Sequence, residues 1–203
     1  MRRNRILVPS GVPGTNLRLG DHLCHVYYSD DHFLATVVPY IKAGLENGEK
    51  CTIYLADGIK PKFLDLLGAK GQAAVECGSL EFLDPDDVAD LYASVSGRKL
   101  EQAMSVIVRQ ALDSGYKSLR VAGQVGLILP KVGQERMLFV EMVTTRVLRQ
   151  LPAVLLCEYP FVPSRISSFP WEAANLHPRF FYGASLERAS RLEVIHRKER
   201  GKK

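Results

Sequence analysis

Residues 20–57 read GDHLCHVYYSDDHFLATVVPYIKAGLENGEKCTIYLAD, and this stretch decides the fold. His22, Cys24, Val26 and Tyr28 alternate with a period of two, so they share one face of a strand. Asp30 and Asp31 stand where a helix N-cap belongs. Phe33, Leu34, Val37, Val38, Tyr40 and Ile41 then recur at helical spacing. Gly44 and Gly48 bracket the helix end, and Cys51 to Leu55 returns as a buried strand. The whole is a β-α-β unit. In nucleotide-binding proteins the turn after its first strand cradles phosphate. Here that turn is Tyr28–His32, with two carboxylates, no glycine and no lysine. A phosphate there would meet negative charge in place of a nest of backbone N–H groups.

The pattern continues outward on both sides. Residues 1–19, punctuated by Pro9, Gly11, Pro13 and Gly14, read as an irregular lead-in lying against the sheet. Lys60–Leu67 reads as a short helix stopped by Gly68, and Ala73–Cys77 and Ser79–Leu83 as short strands. Asp84–Asp87 opens a turn or helix. Arg98–Ser114 carries a helical apolar face. Lys117–Gly123 is a strand, Glu135–Leu151 a long helix, and Ala153–Tyr159 a strand apolar on both faces. Phe169–Leu176 reads as a short helix with Pro170 in its first turn. Phe180–Tyr182 is a last strand, and a final helix is expected over Ser185–Arg200. Strands alternating with helices imply an α/β fold: a mostly parallel sheet with helices on both faces. The domain itself is placed at 20–184, and a basic C-terminal helix or tail at 185–203.

Composition agrees with one soluble unit. The 203 residues are 46% hydrophobic, enough for a sizeable core. No apolar run approaches a membrane span, and residues 1–11 lack a signal-peptide core. The four cysteines (Cys24, Cys51, Cys77, Cys157) lie far apart, as reduced thiols of a cytoplasmic protein would. Residues 187–203 hold seven basic side chains against three glutamates, and residues 1–5 hold three arginines. The +5 net charge therefore lies in the two ends, and the body between them is mildly acidic. That excludes the basic stripe of a nucleic-acid-binding body and leaves nucleic acid as a candidate partner for the tail alone.

Three motifs carry a resemblance. KAGLENGEKCTIYLAD is similar to the segment after the phosphate loop of RecA/KaiC-type ATPases, where a helix ends in GL-x-x-GE-x-C. GDHLCHVYYSDD and the later LLCEYPF…NLHP resemble the MEDS domain, the methanogen/methylotroph sensory domain of dichloromethane-responsive regulators. The match runs from about Gly20 to about Gly183. It implies a RecA/KaiC-like core without a functional P-loop and a role in sensing small organic ligands. Signal transduction, including transcription regulation, follows as an implication of that family.

Function in such sheets sits at the C-terminal strand ends. The candidate ligand-binding residues are His22, Cys24, Tyr28, Arg120, Gln124, Glu141, Glu158, Tyr159 and His177. For His22 and Cys24 three readings stay open: a hydrogen-bonded histidine beside a packed thiol, a pocket wall, or a pair of metal ligands. His25 points away from His22, so a metal site would need Cys157 or His177 brought in by the fold. No resident metal or other cofactor is expected. Glu141, with apolar neighbours, needs a partner such as Arg120 or Arg146. The resemblance implies an acidic residue at position 124, where this chain has Gln124. It cannot act as a base and is a poor Mg²⁺ ligand. No Gly-x-Ser-x-Gly elbow is present, and Cys157 lies in the apolar run AVLLCEY, where a thiol is usually inert packing.

The reading is a non-catalytic sensory module that binds a small organic ligand and signals to a regulatory partner or a second copy of the chain. A protein-interaction module with no ligand and a residual nucleotide binder are the alternatives. Calorimetry with Mg-ATP is expected to show no tight binding. Micromolar affinity, with turnover lost in Asp30→Ala, would overturn that expectation.

Overall fold

The computed structural model describes residues 6–161, 169–182 and 185–188. Its main sheet runs β5 (Leu80–Phe82), β4 (Lys50–Tyr54), β6 (Leu119–Gln124), β7 (Ala153–Pro160), β3 (His22–Tyr27), β8 (Arg179–Tyr182) and β9 (Ser185–Arg188). The first six are mutually parallel and β9 is antiparallel to β8. The α/β class and mostly parallel sheet expected from the sequence are what the chain adopts. The β3-to-β4 connection passes over β7 and β6, so β3 and β7, distant in sequence, are neighbours. Register pairs Cys24 with Cys157 and His25 with Glu158.

Helices cover both faces. On one lie α1 (Asp30–Glu46) and α2 (Lys60–Glu76), with a core built on Phe33, Val37, Ile41 and Phe63. On the other lie α3 (Pro85–Ser94), α4 (Gly97–Asp113), α5 (Val125–Val132), α6 (Gln134–Leu148) and α7 (Phe169–Asn175). The helix expected after Asp30 forms, with Ser29 as its cap: the hydroxyl accepts from the His32 N–H, and Asp30 and Asp31 complement the helix dipole.

Several elements differ from the sequence reading. The lead-in is not wholly irregular: β1 (Leu7–Pro9) and β2 (Asn16–Arg18) form an antiparallel pair that buries Val8 and Leu17. Its link packs so closely that a Cβ on Gly11 would sit 2.2 Å from the Pro39 carbonyl oxygen of α1. Ala73–Cys77 is not a strand. Gly68, at φ 68° and ψ −161°, is non-helical and ends the Lys60–Leu67 helix as expected; α2 is two helical segments joined across it. The following Ala-Lys-Gly-Gln-Ala-Ala run holds strong helix formers and resumes the helix. Helix α5 had no expected counterpart, because Gly126 and Pro130 disguise it. Residues 185–188 form β9, paired with β8, where a helix start was expected. The remainder of that expected helix lies outside the described residues.

Arg120 joins the α1/α2 face together. It is fully buried on β6, and its Nε and Nη2 donate to Glu49 at 2.7 and 3.0 Å. Nη1 donates to the Tyr40 carbonyl and Nη2 to the Pro9 carbonyl, each at 2.8 Å. One guanidinium thus ties β6, the turn before β4, α1 and the lead-in hairpin. A buried ion pair that loses one member leaves an uncompensated charge. Glu49→Ala is therefore expected to lower unfolding free energy by about 3–5 kcal/mol in urea melts, and the double replacement Glu49→Leu/Arg120→Met to recover much of it. A loss under about 1 kcal/mol for Glu49→Ala would show the pair to be dispensable.

Candidate functional site

Strands β3 and β7 are covered on both faces, yet each carries polar side chains. The two-residue period sends them to opposite sides. On the α3–α7 side, His22 of β3 and Cys157 of β7 meet Glu141 of α6 and His177, which follows α7. All four are buried. His22 Nε2 lies 3.1 Å from Glu141 Oε2 and 3.3 Å from Cys157 Sγ. His177 Nε2 lies 3.1 Å from the same carboxylate oxygen. The two imidazoles sit 4.0 Å apart at a 46° tilt. Tyr159 of β7 donates its hydroxyl to the other oxygen, Glu141 Oε1, at 2.5 Å.

The hydrogen bonds fix both histidine tautomers. Thr145 Oγ1 donates to the Leu176 carbonyl at 3.0 Å. Having one hydrogen, it must accept from His22 Nδ1, 2.7 Å away. His177 Nδ1 faces the Ala173 carbonyl at 2.8 Å, which can only accept. Both Nδ1 atoms therefore carry hydrogen, and in the neutral rings both Nε2 lone pairs point into the cluster. His177 Nε2 has no hydrogen-bond partner there. Burial, reinforced by His177, holds His22 down at about 4, so it is neutral at pH 7. Burial pushes the Glu141 carboxyl up, but the two histidines outweigh this and keep it below the usual carboxylate range. Burial and Glu141 push the Cys157 thiol well up.

On the α1/α2 side, His25 Nδ1 and Glu158 Oε2 share a hydrogen bond of 2.5 Å. His25 Nε2 lies 3.3 Å from both His32 Nε2 and Thr36 Oγ1. Burial raises the Glu158 carboxyl despite His25. Gln124 accepts from the Ala56 N–H at 2.7 Å and donates to the Tyr27 hydroxyl at 3.2 Å, bridging the C-terminal ends of β4, β6 and β3. Beside it, a Cβ on Gly123 would sit 2.0 Å from the Tyr54 ring, so only glycine fits.

The structure therefore brings together His22, Glu141, Tyr159 and His177 from the expected set and adds Cys157 and Thr145. Cys24 lies on the same face, beside Cys157. It separates Arg120, Gln124 and Glu158, which face the opposite helices. Tyr28 follows β3 and is half-exposed, stacked on His32 at 5.5 Å and edge-on to Phe161 at 5.3 Å. The partner expected for Glu141 is corrected. Arg120 is across the sheet, and the exposed Arg146 lies 3.8 Å from Glu101. Two histidines and Tyr159 surround Glu141 instead.

A cavity of about 600 Å³ opens beside this cluster, between the sheet and α3 and α4. Tyr54, Tyr92, Met104, Val121 and Leu155 are among its walls. A small void shares Tyr54, Tyr92, Val121 and Leu155 with it and reaches Glu141 and Cys157. No short motif marks this cavity. Its only sequence signal is the apolar face of Leu100, Met104, Ile107 and Val108.

This sheet order and helix distribution define a RecA/KaiC-like α/β protein. A KaiC-like protein from the hyperthermophilic archaeon Pyrococcus horikoshii is similar in structure, with a TM-score of 0.59 at 14% identity over 86% of this chain and 79% of that one. The family profile described as methanogen/methylotroph, DcmR sensory domain (MEDS) matches residues 21–178, and the chain belongs to that family. No curated protein matches the chain. Among the described residues no helix is long and apolar enough to cross a membrane.

Tyr159→Phe tests the cluster's construction. It deprives Glu141 Oε1 of the phenol's hydrogen bond, and urea melts are expected to show a loss of about 1–3 kcal/mol. An unchanged midpoint would mean that this bond contributes nothing to the buried carboxylate.

Proposed function

We propose that this sensory-family domain is a non-catalytic module that binds a small, weakly polar organic molecule in the cavity beneath α4. The cavity carries the reading. Its volume lies within the range of small-molecule sites, its walls are mainly apolar and aromatic, and a few polar groups are at hand for orientation. The bound state passes to a regulatory partner or a second copy of the chain. Helix α4 suits that relay, because Met104 and Ile107 line the cavity while Val106 is exposed on the outer surface.

The absence of catalysis is part of the proposal. The turn Tyr28–His32 offers carboxylates where a phosphate loop needs glycine and lysine, and the α1 N-terminus is already capped by Ser29. Gln124 is committed to internal hydrogen bonds. The Cys157 thiol is buried and held protonated, which is the opposite of an activated nucleophile.

The test is a thermal-shift screen of small organic molecules, followed by titration of any hit against Ala103→Trp. Ala103 of α4 lines the cavity, and an indole there would fill much of it. A ligand at a hundred times its Kd should stabilise the wild type by about 2.7 kcal/mol. The substituted protein should still melt cooperatively but lose that shift. Equal binding to Ala103→Trp, with weakening in Tyr28→Ala, would move the site to the C-terminal sheet edge and overturn the assignment.

A further inference from the structure

We infer that His22, Glu141, Cys157 and His177 form a binding site for one divalent first-row transition-metal ion, of the zinc class. Each residue offers one ligand atom, and these atoms lie within 4.8 Å of one another. The measured edges are 3.1 Å for His22 Nε2–Glu141 Oε2, 3.1 Å for His177 Nε2–Glu141 Oε2 and 3.3 Å for His22 Nε2–Cys157 Sγ. Cys157 Sγ–Glu141 Oε2 is 3.6 Å. A tetrahedral zinc site with ordinary Zn–N, Zn–O and Zn–S bonds has edges of about 3.3–3.6 Å. These four edges are within a few tenths of an ångström of that shape, and the other two, from His177 Nε2 to His22 Nε2 and to Cys157 Sγ, are no longer than 4.8 Å.

Donor and acceptor arithmetic points the same way. Thr145 and the Ala173 carbonyl hold both Nδ1 hydrogens. His22 Nε2, His177 Nε2 and Glu141 Oε2 then converge as three potential ligand atoms. The Cys157 thiol supplies one weak hydrogen among them. His177 Nε2, fully buried and aimed at this point, has no hydrogen-bond partner. A converging set of acceptors in a desolvated space is costly unless a cation sits among them. A thiolate and a carboxylate would neutralise a divalent ion. Binding releases the Cys157 proton to solvent, and one S–H bond is exchanged for a metal–sulfur bond.

The surroundings are those of a metal shell. Ligating histidines usually donate their second nitrogen to a carbonyl, carboxylate or other fixed acceptor, and ligating carboxylates are themselves hydrogen-bonded. Here Thr145, Ala173 and Tyr159 play those parts. The donor set of two imidazoles, one thiolate and one carboxylate suits zinc, cobalt or ferrous iron better than magnesium or calcium. His25 and Glu158, on the opposite face, are excluded from the shell.

The experiment is cobalt titration of the chelator-treated full chain, purified without a histidine tag. The wild type should take up one Co²⁺ per chain and show a thiolate-to-cobalt charge-transfer band with the strong visible bands of a tetrahedral site. Zinc should displace it. Cys157→Ser should lose the charge-transfer band, and Cys77→Ser, which alters the exposed thiol, should keep it. Thr145→Val, which leaves all four ligands in place, should weaken affinity by about 10–100-fold. Three results would each overturn the inference: no stoichiometric uptake by the wild type, a band that survives Cys157→Ser, or a band lost in Cys77→Ser.

Discussion

The constraint on which this structure turns is that β3 and β7 are buried on both faces and nevertheless carry His22, His25, Cys157, Glu158 and Tyr159. A buried polar group without a partner costs as much as several good contacts gain. Every one of these side chains must therefore find its complement inside the protein, and the helices are placed to supply it. Helix α6 brings Glu141 and Thr145 to one face. Pairing of β3 with β7 supplies Glu158 to His25 on the other. The return after α7 delivers His177. Arg120 follows the same rule one strand away, with Glu49 and two carbonyls as its complement.

Much of the framework was legible in the sequence. The β-α-β unit of residues 20–57, the apolar run of β7 and the helical face of α4 announce a covered, mostly parallel sheet. The failures are local and physical. Gly68 does stop the first helical segment of α2, but the alanine-rich residues after it are strong enough helix formers to start a second where a strand was expected. Gly126 and Pro130 hide α5, whose buried Val125, Ile128 and Val132 stabilise it through packing where propensity would not. The two three-residue strands β1 and β2 are too short to show a period.

The site was half legible. Period two placed His22 and Cys24 on one face and His25 on the other, and that division holds. Strand adjacency was beyond reach, because β3 and β7 meet only through the order of the whole sheet, about 130 residues apart in the chain. Hence Cys157 looked like packing and Glu141 was assigned an arginine partner. Cysteine in an apolar run gives no local sign that a histidine lies opposite. The cavity beneath α4 has even less signal, since an apolar helix face reads the same whether it rests on the sheet or spans a void.

These features combine into one account. A RecA/KaiC-like sheet carries two carboxylates, and neither glycine nor lysine, in the turn after β3. On its α3–α7 face a polar cluster lies beside an apolar cavity. Native mass spectrometry of the intact chain, supplied with zinc and with a small organic molecule that raises its melting temperature, tests this most directly. The account predicts one added ion, retained on brief chelation and lost in Cys157→Ser, together with one added organic molecule lost in Ala103→Trp. The bare polypeptide mass under the same conditions would contradict it.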